Sequence, residues 1–139
     1  MSQLFDIAAL TEGMPEARVM RGENYFGHGW VGLVDYRPPS LTAHVMGERG
    51  IAYVVEMGRA DGSDARCGCP DFSESGLRCK HIVATALKAN AADDEELKAA
   101  AARLPRLLDM LEVEGRDDAE ALVEAARQDP ALLKALEGE

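Results

Sequence analysis

Apolar positions change their period along the chain. Between Gln3 and Leu10, Leu4, Ile7, Ala8 and Leu10 recur at helical spacing, and Glu12-Gly13 closes the run, which predicts a short first helix. Pro15 opens a second. From Glu16 to Phe26, Ala17, Met20 and Tyr25 or Phe26 fit a helix that Gly22 and Asn24 weaken, and an early strand is the alternative reading. Trp30 to Tyr36, Leu41 to Met46 and Ile51 to Met57 are then rich in β-branched and aromatic residues, divided by Arg37-Pro38-Pro39-Ser40 and by Gly47 to Gly50. That pattern predicts three antiparallel strands joined by hairpins. In the second strand Leu41, Ala43 and Val45 share one face and Thr42, His44 and Met46 the other, the alternation of a sheet covered mainly on one side.

Arg59 to Asp64 reads as a turn into a short strand at Ala65 to Cys67. Helical periodicity returns with Ile82, Val83, Ala86, Leu87 and Asn90, starting at or near Cys79, and this helix is expected to pack on the sheet. From Asp93 onward Ala, Leu, Glu, Lys and Arg at helical spacing predict several short helices, interrupted at Pro105, Gly115 and Pro130, with Leu104, Leu107, Leu108 and Leu111 packing on the domain. The class is therefore α+β: a small antiparallel sheet with N-terminal helices and a C-terminal helical segment. Residues 1–90 form the first unit and residues 91–139 the second.

Charge sharpens that division. Residues 1–90 carry nine Lys and Arg against eleven Asp and Glu, a net of −2, whereas residues 91–139 carry six against fourteen, a net of −8. The acid is concentrated in the second unit. No run reaches the roughly 18 apolar residues of a membrane span, and the first residues lack a basic, then apolar, export signal, so a cytoplasmic protein is expected. A chain of 139 residues buries only a modest core, and a stabilising device is useful to it.

All three cysteines fall between positions 67 and 79, an odd number that does not pair off as disulfides. Cys67-Gly68-Cys69 and Cys79-Lys80-His81 each supply a pair of ligands two positions apart. Two positions apart on an extended segment puts both thiols on one side, and Gly68 is expected to let the backbone curl so that they converge. Residues two apart on a helix do not face each other, so Cys79 should precede the helix and His81 sit in its first turn. Three thiolates and an imidazole are the donors of a closed, tetrahedral zinc site, which would staple strand to helix over residues 65–90. Pro70 is expected to stop the strand, Phe72 to form an apolar lid, and Ser73 to Gly76 to make a turn. Buried or redox-active cysteines are the alternative chemistry for the set. His28 and His44 are read as packing or solvent-facing residues.

The run Cys67-Gly68-Cys69-Pro70-Asp71-Phe72 followed by Gly76-Leu77-Arg78-Cys79-Lys80-His81-Ile82-Val83-Ala84 resembles the SWIM-type zinc finger, with its Cys-x-Cys and Cys-x-His pairs. Arg21 to Phe26, Gly29-Trp30-Val31, Ala43 to Gly47 and Tyr53-Val54-Val55 resemble the segment preceding the finger in bacterial members. The resemblance covers about residues 15–90, with weaker similarity from Asp117 to Leu136. It implies a DNA-binding or protein-interaction module, of a kind found in bacterial proteins linked to Swi/Snf-class ATPases. No Gly-x-x-x-x-Gly-Lys phosphate loop is present, so any ATPase would be a separate partner.

Two functional classes follow. In one, Arg66, Arg78 and Lys80, with Arg59 and Lys88 on the same side, contact the phosphates of DNA or RNA. In the other, the zinc-stapled sheet is a scaffold and the acidic helices dock on a basic protein partner or shield the finger, with no direct nucleic-acid contact. The cations also have a local use, since one Zn2+ with three thiolates carries a net charge of −1 that neighbours must offset. No constellation of nucleophile, base and orienting group is visible, so neither an enzyme nor a small-molecule substrate is expected.

Overall fold

The structure, a computed structural model, describes residues 4–46, 52–76 and 78–110. Two N-terminal helices, α1 (Ile7–Leu10) and α2 (Glu16–Gly27), lead into strands β1 (Val31–Arg37), β2 (Ser40–Met46), β3 (Ala52–Met57) and β4 (Arg66–Cys67), and helices α3 (Pro70–Ser75), α4 (Lys80–Ala91) and α5 (Asp94–Met110) follow. The four strands form one antiparallel meander in the order β1-β2-β3-β4. The α+β class and the three principal strands are as the sequence predicts. The Gly47 to Gly50 hairpin and the breaks at Gly115 and Pro130 lie outside the described residues, as do the side chains of Leu104, Leu107, Leu108 and Leu111.

Burial of Leu33, Leu41, Ala43, Val45, Val55 and Met57 against Ile82, Val83, Ala86 and Ala89 of α4 makes the core. The opposite parity is more buried than one-sided alternation suggests: Val34, His44, Ala52 and Val54 are all buried as well. Three of these four are aliphatic, the composition of strands covered on both faces. A register shift between Leu33 and Asp35 also places Val34 at a bulge, where simple alternation fails.

Local chemistry sets the helix boundaries. The first helix begins at Ile7 rather than at Gln3, because Asp6 caps it by accepting from the Ala9 N–H at 3.2 Å. The preceding backbone is held elsewhere: the Asn90 amide accepts from Phe5 N and donates to Phe5 O, both at 2.9 Å. Asn90 thereby ties the end of α4 to the N-terminal segment. Residues 94–110 form one continuous helix, so Pro105 does not interrupt it; the Ala-rich stretch before it has high helical propensity, and one missing N–H does not end the helix. Its first turn carries Asp94, Glu95 and Glu96, favourable at the positive end of a helix dipole. α5 lies against β1, where Arg103 donates to the Leu33 carbonyl, and Lys88 on α4 pairs with Glu96 at 2.7 Å.

Gly22 explains why α2 is a helix despite a glycine at its centre. A Cβ there would stand 2.6 Å from Val83 Cβ and 2.9 Å from the Lys80 carbonyl oxygen, so the glycine is the point at which α2 crosses α4. Backbone proximity replaces helix propensity as the reason for the residue. Gly22→Ala is therefore expected to lower stability by about 1–3 kcal/mol through overpacking, even though alanine is the better helix former. Thermal unfolding followed by circular dichroism checks this, and an unchanged or raised midpoint would show that the two helices separate without cost.

Candidate metal centre

Three elements converge to position the four donors. Cys67 ends β4, where it pairs with Val55; Cys69 is the N-cap of α3; Cys79 is the N-cap of α4; His81 lies in the first turn of α4. The sequence-based placement of Cys79 and His81 is thus as expected. All four are buried, with relative exposures of 6%, 1%, 0% and 4%, and their ligand atoms lie within 4.8 Å of one another. His81 turns Nδ1 toward the sulfurs, 3.7 Å from Cys67 Sγ and 3.6 Å from Cys79 Sγ. A zinc tetrahedron with Zn–S near 2.3 Å and Zn–N near 2.0–2.1 Å has S···N edges of about 3.5–3.6 Å, so these two edges already match. The donor set and the spacing fit one structural zinc, with four protein ligands and no coordination position left open.

Main-chain amides favour negative charge at the sulfurs. Phe72 N–H donates to Cys69 Sγ at 3.4 Å, and the backbone amides of Cys69 and Ile82 lower the thiols of Cys67 and Cys79. Phe72 and Ile82 lie in the first turns of α3 and α4, where the helix dipole favours negative charge. A hydrogen bond from Cys67 pulls the Cys79 thiol down to about 4 against the effect of burial, with His81 assisting. The same bond and burial push Cys67 up, and burial pushes Cys69 up. These opposed shifts favour Cys79 over Cys67 and Cys69 as the thiolate of the metal-free cluster.

The chain between the two ligand pairs is helical where a turn was expected. Pro70 occupies the first helical position, where its missing N–H costs nothing, and Gly76 ends the helix in the left-handed region at φ 69°. Phe72 is partly buried against the core, as a lid should be. Gly68 has a different role from the one expected. Its φ is not positive, a Cβ would meet nothing within 4 Å, and its N–H donates to the Val54 carbonyl at 3.1 Å, prolonging the strand pairing. The thiols converge because Cys69 caps α3, and not because the backbone curls at a glycine.

Around His81 the structure assembles aromatic residues that the sequence did not single out. Tyr25 and Tyr53 flank its ring at centroid distances of 5.5 and 5.1 Å. Trp30 meets Tyr25 edge-on at 5.0 Å, and His28 stacks on Trp30 at 4.8 Å. Their clustering could be read only once α2 was known to cross α4. His44 is buried, at 1% exposure.

The expected cationic residues are dispersed. Arg66 is exposed and pairs with Glu56 at 3.1 Å across β3 and β4. The ammonium of Lys80 lies 5.4 Å from the centre of the Tyr25 ring. Arg78 is half-buried, its Nε enclosed without a hydrogen-bond partner and its carbonyl accepting from Arg18 at 3.3 Å. Arg59 is exposed in the loop before β4, and Lys88 is engaged by Glu96.

Comparison with known families agrees with this geometry. The SWIM zinc finger model matches residues 53–90, a span that begins at β3 and ends at Asn90 of α4 and so includes every ligand and the elements they join. The upstream similarity at Arg21 to Phe26 and Gly29 to Val31 falls outside the matched span. Neither the curated proteins nor the solved structures contain a match to this chain.

Zinc uptake at pH 7 is expected to release about two protons per chain, from Cys67 and Cys69, because Cys79 is already ionised. Raising pH removes competition from those protons, so affinity should climb by up to about a hundredfold per pH unit near neutrality and fall on acidification. Calorimetry in buffers of different protonation enthalpy measures the count; release of three protons would show that the metal-free chain does not retain the Cys79 thiolate. Cys79→Ser is expected to lose zinc and cooperative folding together, whereas Gly68→Ala should keep one zinc per chain and change stability by less than about 1 kcal/mol. Native mass measurement with thermal melts separates the two, and loss of zinc in Gly68→Ala would restore a conformational role to that glycine.

Proposed function

We propose, from the premise that residues 53–90 form a SWIM zinc finger, that the chain is a non-enzymatic, cytoplasmic binding module of nucleic-acid-associated assemblies that contacts the phosphates of DNA or RNA. The observation that supports this reading is that the two cations beside the ligands, Arg66 and Lys80, are engaged away from the sulfurs, Arg66 with Glu56 and Lys80 over the Tyr25 ring. Local neutralisation of the site therefore does not consume the guanidinium of Arg66 or the ammonium of Lys80. Arg66 has 70% of its side-chain surface exposed, and its pairing with Glu56 is a surface ion pair of small worth that a phosphate can displace. Closed coordination by four protein ligands supports a structural zinc, since a catalytic ion needs an open position. No described helix is long and apolar enough to cross a membrane.

A second reading has one observation of its own, the net charge of −8 carried by residues 91–139. Such a surface repels nucleic acid and suits a protein partner, a Swi/Snf-class ATPase being the kind the family resemblance implies. In this reading residues 91–139 carry the contact with protein, and the finger makes no direct contact with nucleic acid.

Binding of the zinc-loaded chain to single- and double-stranded oligonucleotides, followed by fluorescence anisotropy at 50–200 mM salt, tests the first. Affinity is expected to fall with salt with a log–log slope of about −1 to −2, and Arg66→Ala and Lys80→Ala should each reduce the slope by up to about 1 without loss of zinc. Absence of binding at the lowest salt would reject phosphate contact and leave the adaptor reading.

A further inference from the structure

We propose that a cleft at the junction of α4 and α5, remote in sequence from the zinc ligands, docks a basic amphipathic helix of a partner protein. The cleft measures about 840 Å3, and its apolar lining comes from Leu4, Tyr36, Pro38, Ala92, Leu97 and Ala101. Two helices meet at its corner, since α4 ends at Ala91 and α5 begins at Asp94. Such a groove accepts the apolar stripe of a third helix, with anchors at i, i+3 or i+4, and i+7.

The polar groups indicate what the occupant must carry. Asn90 belongs to the wall, but its amide is used on both sides by the Phe5 backbone, so the interior makes no demand for a polar ligand. Charge lies at the exposed rim, where the lining includes Asp93, Asp94 and Glu95 and one ammonium, that of Lys98. Asp93 caps α5 through the Glu96 N–H at 2.8 Å, and among the described residues no ion pair engages Asp94 or Glu95. The rim is net negative, so it favours Lys and Arg beside an apolar stripe and disfavours nucleic acid. It also disfavours the chain's own residues 111–139, which carry nine Asp and Glu against three Lys and Arg. The inference deepens the adaptor reading and does not rest on phosphate contact by the finger.

The test uses the full zinc-loaded chain and three synthetic helical peptides of about 18 residues, each with the same leucine stripe and with Lys, Glu or Gln on the other face. The Leu/Lys peptide is expected to bind, shifting the NMR signals of Tyr36, Leu97 and Ala101, at least about tenfold more tightly than the Leu/Glu or Leu/Gln peptides. Two variants address the site separately. Asp94→Asn with Glu95→Gln should remove the preference for Lys over Gln, and Ala101→Trp, which fills the cleft, should weaken the Leu/Lys peptide by about tenfold or more. Both should keep zinc and the salt-dependent oligonucleotide binding of the parent, so failure here is distinguishable from failure of the finger to bind nucleic acid. Equal binding of all three peptides, perturbation confined to other surfaces, or absence of Leu/Lys binding at millimolar peptide would overturn the proposal. So would a shift of residues 111–139 in Ala101→Trp without peptide, which would identify the chain's own C-terminal segment as the occupant.

Discussion

Three sulfurs and an imidazole brought together in a dry interior are unfavourable neighbours unless something binds them all. Burial raises the cost of each thiolate, and negative charges in contact repel strongly where the dielectric is low. The thiols shift in opposite directions, Cys79 downward through its hydrogen bond from Cys67, Cys67 upward through the same bond and burial, and Cys69 upward through burial. A divalent cation removes the conflict by turning repulsion into coordination, and binding energies of about 10–16 kcal/mol are of the order of a whole small domain's stability. Strand β4 has only two residues and α3 only six, so neither has enough contacts to persist alone. The metal gives both a reason to be where they are.

That centre is supported from the N-terminal side of the chain. Where α2 crosses α4 at Gly22, Tyr25 is brought edge-on to His81 and the imidazole is held between Tyr25 and Tyr53. A ligand ring that cannot turn keeps Nδ1 aimed at the sulfurs, so part of the ordering cost of metal binding is met by packing. Asn90 extends the same logic to the far end of α4, fastening the helix to the backbone of Phe5. The finger is therefore one edge of a continuous core, and not an appendage on a linker.

The ligand set was legible because zinc chemistry restricts residue type and spacing together. The three long strands were legible from their β-branched and aromatic content. Glycines were harder to read, because the same residue serves several ends. Gly22 looked like a weak helix position and is a helix crossing, whereas Gly68 looked like a hinge and lies just past β4 without a positive φ, its N–H bonded to the Val54 carbonyl. Pro105 and Pro70 show the same ambiguity, one tolerated within a helix and the other starting one that was read as a turn. The aromatic surround of His81 and the Asn90 bridge join residues 28 to 85 positions apart, and no local pattern carries such pairings.

The two lateral margins of the sheet are both shut to main-chain pairing. Along β1 a seventeen-residue helix lies against the strand, and Arg103 occupies an outward carbonyl at Leu33. On the other side β4 gives out after two residues, and the backbone passes into a proline-led helix within three more. A meander this small would otherwise offer template strands to a second copy or to an unfolded chain, the route by which sheets polymerise. With a helix along one margin and a two-residue strand at the other, the sheet offers little backbone for the addition of a further strand.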